Sequence, residues 1–242
     1  MGHRLTTDSE KEALLGTLGV DAVLFLPFDA QLAALSAAEF FERIVRHGFA
    51  AASVHVGEDF RFGARRQGDT QMLGTLCQQA GITLEILPAV EEGGERISST
   101  RVRACLEQGR VEAVSSLLGR PYALHARVEK GSGRGKTLDI PTANLAVPAQ
   151  KAVPKAGVYQ ARARSAGQWF TAVCNLGTRP TFEPGATRAV LEAHLLDFSG
   201  TLYGEEITLE FQRRIRDERR FENVEALRAQ ILRDIESARK GS

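Results

Sequence analysis

KGSGRGKTLDIPTANL, Lys130 to Leu145, separates two possible folds. In a phosphate-binding loop of the form G-x-x-x-x-G-K-[ST], the lysine and the hydroxyl residue open a helix. Gly135-Lys136-Thr137 supplies the end of such a motif, but Lys130 stands where its first glycine belongs. Pro141 follows Thr137 by four residues, where its ring and missing N–H would cost about 3 kcal/mol inside a helix. It also pushes Ile140 toward extended geometry. The stretch is therefore a loop flanked by strands, and a P-loop NTPase is disfavoured. Gly131, Gly133 and Gly135 allow backbone N–H groups to turn toward an anion, and Lys130, Arg134 and Lys136 add positive charge. Thr142 and Asn144 offer a hydroxyl and an amide carbonyl two residues apart, on one face of an extended segment. Such hard oxygens suit Mg²⁺, which completes its shell with phosphate and water. An ordinary hairpin loop followed by a turn fits the same residues.

The flanking sequence has a period of two. Tyr122, Leu124, Ala126 and Val128 alternate with polar neighbours, as do Tyr159, Ala161 and Ala163, and Ile207, Leu209 and Phe211. Repeated between Gly/Pro-rich turns, this pattern predicts antiparallel strands in a small barrel or sandwich. Val224, Leu227, Ile231 and Ile235 form the apolar stripe of a closing helix.

Before Gly119 the pattern differs. Thr7-x-x-Glu10 and Ser36-x-x-Glu39 resemble capping boxes, each leading into a helix. Apolar runs at Val20–Leu26, Ala51–Val56 and Ile82–Leu87 predict three buried parallel strands. Helices are expected over Thr70–Ala80, Thr100–Gln108 and Val111–Leu118. Alternating strands and helices argue for a layered α/β domain, with a boundary near Leu118–Pro121.

The totals bound the partners. Apolar residues make up 43% and charged residues 25% of the 242, the balance of a soluble globular chain. A formal net charge of +1 gives no global field toward nucleic acid or membrane, so an anion site must be local. No apolar run approaches a membrane span of about 20 residues. Cys77, Cys105 and Cys174 lie far apart and form no C-x-x-C pair, which fits a reducing cytoplasm.

GRGKTLDIPTANL resembles the glycine-rich loop and Pro-Thr-Ala-Asn motif of the riboflavin kinase module. AGVYQARA (Ala156–Ala163), CNLGTRPTF (Cys174–Phe182), LEAHLLDFSGTLYGEEITLEF (Leu191–Phe211) and RDERRFENVEALRAQI (Arg216–Ile231) follow in the order of that module. LTTDSEKEALLGTLGVD (Leu5–Asp21), VGEDFRFGARRQGD (Val56–Asp69) and ISSTRVR (Ile97–Arg103) resemble the rear part of the FMN adenylyltransferase module. Together they resemble the bacterial bifunctional riboflavin kinase/FAD synthetase family.

The resemblance implies α/β plus all-β architecture. A partial Rossmann-like nucleotidyltransferase domain (1–118) precedes a small antiparallel Greek-key β-barrel with a C-terminal helix (119–242). It implies ATP-dependent phosphorylation of riboflavin to FMN, with riboflavin/FMN and ATP/ADP as partners. Glu192 aligns with the family's catalytic base. Gly131, Gly133, Arg134, Gly135 and Lys136 align with its nucleotide loop, and Thr142 and Asn144 with its Mg²⁺ and phosphate ligands. Ser98, Ser99, Thr100 and Arg101 would hold a phosphate at a helix start, a place where Ser98 to Thr100 could equally be caps. Asp139 stands where the family usually has glycine; the expectations, in order of preference, are that its side chain points to water, that it helps hold a cation, or that it impairs the site. The family's His-x-Gly-His segment is not seen ahead of Leu5, so adenylylation of FMN to FAD is expected to be impaired. The alternative expectation is a flavin- or nucleotide-binding module without turnover.

Overall fold

The computed structural model describes residues 3–130, 140–180 and 187–240. The chain forms two compact units, one made of Met1–Gly19 with Ser98–Ser242 and the other of Val20–Ile97. This division keeps the first helix and the residues from Ser98 onward with the barrel, whereas the sequence boundary near Leu118–Pro121 falls just before the first barrel strand.

In the Val20–Ile97 unit, α2 (Ala30–Ala34) and α3 (Ala37–Phe40) lead into a π-helical segment, Phe41–Gly48. Next come β1 (Ser53–Gly57), α4 (Thr70–Ala80) and β2 (Thr83–Leu87). A two-residue hairpin follows, β3 (Glu91–Glu92) with β4 (Glu95–Arg96). β1 and β2 pair in parallel. The core joins Ala37, Phe41, Phe62, Leu73, Cys77 and Ile82. Ser36 and Glu39 form the expected capping box, and Asp69 caps α4.

Val20–Leu26 is a correction. It forms no strand, and Leu24, Phe25 and Leu26 are exposed. A largely apolar run, here interrupted by Asp21, becomes a buried strand only when a neighbour supplies ladder partners, and the described parallel sheet has two strands, not three.

In the larger unit, α1 (Asp8–Thr17) begins with the capping box of Thr7 and Glu10. α5 (Ser99–Glu107) packs on α6 (Val111–Leu118), which packs on the barrel. The barrel strands are β5 (Tyr122–Glu129), β6 (Ala143–Leu145), β7 (Gly157–Ser165), β8 (Gln168–Pro180), β9 (Thr187–Leu195) and β10 (Glu206–Arg216). They close in the order β10-β5-β6-β9-β8-β7, with every pairing antiparallel. β7, β8 and β9 form consecutive neighbours and β10 returns beside β7, which is the Greek-key arrangement. Closure removes the exposed edges that an open sheet of these strands would carry.

The period-two pattern becomes inside and outside. Tyr122, Leu124, Ala126, Val128, Tyr159, Ala161, Ala163, Ile207, Leu209 and Phe211 are all buried. Alanines from five strands (Ala126, Ala143, Ala161, Ala163, Ala172 and Ala193) share the interior with larger groups. Phe211 fills part of it, edge-on to Tyr159 with ring centroids 5.4 Å apart. The β7–β8 hairpin turns on Ala166 and Gly167, both at positive φ (47° and 84°). Two such residues make the turn whose twist matches the strands, and glycine adopts its half at little cost.

α7 (Val224–Lys240) lies on the barrel's outer wall over β8 and β7. Ala238 and Ile235 pack against Val158, Val173 and Ile215. Val224 leaves the expected stripe and is exposed. The helix seats through its C-terminal half, so its first residue has nothing to bury against. None of the described helices is long and apolar enough to cross a membrane.

Candidate active site

β6 is only three residues long, yet it fixes the candidate site. Ala143 and Leu145 point into the barrel and are buried, so Asn144 between them faces outward, half-buried. Thr142, just before the strand, is also half-buried and lies on Asn144's side of the alternation. Across the β6–β9 pairing Asn144 is the register partner of Glu192, with buried Leu191 and Ala193 on either side of that carboxylate. Register partners in an antiparallel ladder share a face, with Cβ atoms about 4.5–5.5 Å apart.

The row continues in both directions. Glu129 on β5 is opposite Asn144, and Asn175 on β8 is opposite Glu192. Glu129, Asn144, Glu192 and Asn175 therefore lie side by side on the outer wall. Glu218 reaches this row from the segment after β10, accepting a hydrogen bond from the Asn175 amide at 3.2 Å. Gly177 makes that approach possible, because a Cβ there would sit 2.6 Å from a Glu218 carboxylate oxygen. At the other end His194 Nδ1 is 2.7 Å from the Pro141 carbonyl. Arg214 of β10 ties down the segment that follows its strand. It donates to the Ala156 carbonyl and to Asp217, both at 2.8 Å, and the Asp217 carboxyl is held below the usual range mainly by that hydrogen bond.

Thr142, Asn144 and Glu192 thus come together. Gly131, Gly133, Arg134, Gly135, Lys136 and Asp139 lie outside the described residues. Ser98 is the N-cap of α5 and accepts from the Arg101 N–H at 3.2 Å, so its hydroxyl carries the capping role. Ser99 and Thr100 are exposed in the first turn, and Arg101 is half-buried beside them. These four residues reach the barrel through α5 and α6, and no strand pairing joins them to the Asn144–Glu192 row. Sequence reasoning missed Asn175, His194 and Glu218. Asn175 and His194 share the outward alternation of their strands, which was the available signal. Glu218 lies beyond the end of β10, outside any strand or helix, and gives no such signal.

The donor chemistry suits a hard cation. A hydroxyl, an amide oxygen and a carboxylate on one wall are oxygen ligands, whereas no group of three His, Cys, Asp or Glu among the described residues could hold a metal. A Mg²⁺ ion bound here would share its shell with phosphate and water.

A closed Greek-key barrel that sets a hydroxyl and an amide beside a carboxylate, with a basic glycine-rich segment ahead of them in the sequence, carries the kinds of group that phosphoryl transfer to a small molecule uses. The chain belongs to the bifunctional riboflavin kinase/FMN adenylyltransferase family: the riboflavin kinase model matches residues 118–241 and the FAD synthetase model matches residues 1–101. The Pseudomonas fluorescens bifunctional riboflavin kinase/FMN adenylyltransferase is 40% identical over 96% of this chain and 74% of its own length. The Escherichia coli K12 protein of the same name is 40% identical over 98% of this chain and 75% of its own. A Streptococcus pneumoniae crystal structure, described as a macrolide-efflux protein, superposes with a TM-score of 0.88. It shares 31% identity over 97% of this chain and 75% of that one.

These matches correct two expectations. The impairment expected for FAD synthesis finds no support, since the FAD synthetase model covers the N-terminal residues and the curated relatives are named for both activities. A binding module without turnover is likewise not favoured.

Proposed function

We propose that the barrel transfers the γ-phosphoryl group of ATP to the ribityl 5′-hydroxyl of riboflavin, giving FMN and ADP. The reading rests on one observation, the Asn144–Glu192 register with Thr142 on the same wall. Phosphoryl transfer needs alignment of donor and acceptor, neutralisation of phosphate charge and a place for the acceptor's proton. Glu192 accepts the 5′-hydroxyl proton as the oxygen attacks phosphorus. Thr142 and Asn144 hold the phosphate end of ATP from the neighbouring strand. Mg²⁺, when bound by these two oxygens, neutralises charge on the phosphates. Gly131, Gly133, Arg134, Gly135 and Lys136 supply backbone N–H groups and positive charge to the same phosphates. Glu129 and Glu192 flank Asn144, so a metal-bound triphosphate fits this wall better than a bare one.

The N-terminal half, with Ser98, Ser99, Thr100 and Arg101 at the start of α5, acts on FMN and ATP to give FAD. In sequence the adenylyltransferase part is read as 1–118 and the kinase part as 119–242, a reading supported by separate family matches over 1–101 and 118–241. All three cysteines are free and buried, which suits a cytoplasmic enzyme.

The test is product analysis. The protein is incubated with riboflavin, ATP and Mg²⁺, and FMN and FAD are separated by chromatography. FMN formation that stops on chelation of the metal supports the kinase reading, and FAD in addition supports the second activity. Absence of both products overturns the reading.

A further inference from the structure

The β6–β9 ladder ends at Ala143 and Ala193. Continued by one residue, its register sets Thr142 opposite His194. Pro141 precedes Thr142 and has no N–H to extend the ladder. What the structure has instead is a side-chain bond, with His194 Nδ1 2.7 Å from the Pro141 carbonyl oxygen. A carbonyl only accepts, so Nδ1 carries the hydrogen. The Pro141 carbonyl and the Thr142 N–H belong to one planar peptide. Holding that carbonyl fixes the plane from which Thr142 leaves, and so the place of its hydroxyl relative to Asn144.

We infer that His194 is a positioning residue for the nucleotide end of the site, substituting for the missing ladder bond and aiming Thr142 at the phosphates of ATP. The inference rests on the kinase reading above. His194 touches neither substrate in this account. It acts through the Pro141–Thr142 peptide, which makes its effect specific to the nucleotide.

Two variants separate positioning from plain packing. His194→Ala removes the donor. His194→Asn keeps one, because the asparagine amide nitrogen is as many bonds from the backbone as Nδ1. With purified full-length chain, His194→Ala is expected to raise KM for Mg·ATP about three- to tenfold, the worth of one hydrogen bond. KM for riboflavin should stay within about twofold, and His194→Asn should recover most of the loss. Thermal midpoints of both variants should lie within about 2 °C of the parent, since the side chain is on the outer wall. An unchanged KM for Mg·ATP in His194→Ala would overturn the inference. So would an asparagine variant no better than alanine, or a midpoint that falls in step with activity. Parent protein that makes no FMN overturns the kinase reading, and His194's role with it. An active Glu192→Gln variant alongside the expected His194 pattern would remove only the base assignment.

Discussion

The Glu10 carboxylate and the Lys151 ammonium, far apart in sequence, form a buried ion pair that ties α1 to the barrel. Glu10 also accepts from the Thr7 N–H at 2.8 Å and from the His125 N–H at 3.1 Å. Lys151 donates to the Leu5 carbonyl at 2.9 Å and lies 4.7 Å from the centre of the Tyr122 ring. The Tyr122 hydroxyl in turn lies within donating distance of two carbonyls, Ala152 at 2.7 Å and Leu5 at 2.9 Å, with one hydrogen to share between them. One capping glutamate thus serves its own helix and the strand β5 together.

Burial pushes the Glu10 carboxyl up, but the Lys151 hydrogen bond and charge, with the two N–H groups, outweigh it and hold the group below its usual range. A carboxylate depressed in the folded state contributes stability that is present above the ordinary glutamate range near pH 4.3 and lost as pH falls through the folded value. Acid should therefore weaken the barrel unit below about pH 4.5. Lys151→Met strands the carboxylate and should cost about 3–5 kcal/mol in urea unfolding at pH 7, whereas Glu10→Gln/Lys151→Met should cost less than the two single changes summed. A Lys151→Met cost below about 1 kcal/mol would show that the pair does not tether α1.

Glu192→Gln keeps the shape of the side chain and removes its basicity. Its kcat for FMN formation should fall about 10²- to 10⁴-fold, the usual contribution of a general base. KM for ATP should change little, because Thr142 and Asn144 remain. Steady-state kinetics over both substrates provides the check, and near-parent turnover would exclude Glu192 as the base.

The barrel was legible in the sequence because burial on one face imposes a period of two, and ten alternating apolar positions named from that pattern are indeed interior. The capping boxes at Thr7 and Ser36 were legible because they are local, complete within four residues. Asn144 and Glu192 were each nameable, yet their pairing was not, since register between strands 48 residues apart is set by packing and turns that no short window contains. The same reason hid the His194–Pro141 bond and the reach of Glu218 to Asn175. Val20–Leu26 was misread because an apolar run announces hydrophobicity, not the neighbour that would bury it. Val224 was misread because helical period fixes a face and leaves open how far along the helix that face is covered.

Asp234 anchors α7. Its carboxylate is buried and accepts from Arg216 Nε at 3.1 Å and Nη2 at 2.7 Å, and from the Gln230 amide at 2.8 Å. Asp234→Ala takes away the carboxylate that pairs with Arg216 and opens a gap under the helix. It should cost about 2–4 kcal/mol in chemical denaturation, with α7 becoming the first site of limited proteolysis. Protease resistance equal to the parent would show that the apolar contacts of Ile235 and Ala238 hold the helix unaided.

Two glycines of the barrel should respond oppositely to alanine. At Gly157 an added Cβ would lie 2.7 Å from the Arg216 backbone carbonyl and 2.8 Å from Arg214 Nη2. The backbone of β10 is held by its ladder and cannot yield, so Gly157→Ala should destabilise the fold by about 1–3 kcal/mol. At Gly177 the obstacle is the end of the Glu218 side chain, which can swing away into solvent. Gly177→Ala should keep stability within about 1 kcal/mol of the parent while breaking the Glu218–Asn175 hydrogen bond. Because Asn175 is the register partner of Glu192, turnover should then fall to the level of Glu218→Ala, and the double variant should be no slower than either single one. Paired thermal melts and FMN assays distinguish the cases. Additive losses in the double variant would mean that Gly177 and Glu218 act on the site separately, and the carboxylate's close approach would then serve only to seat the segment after β10.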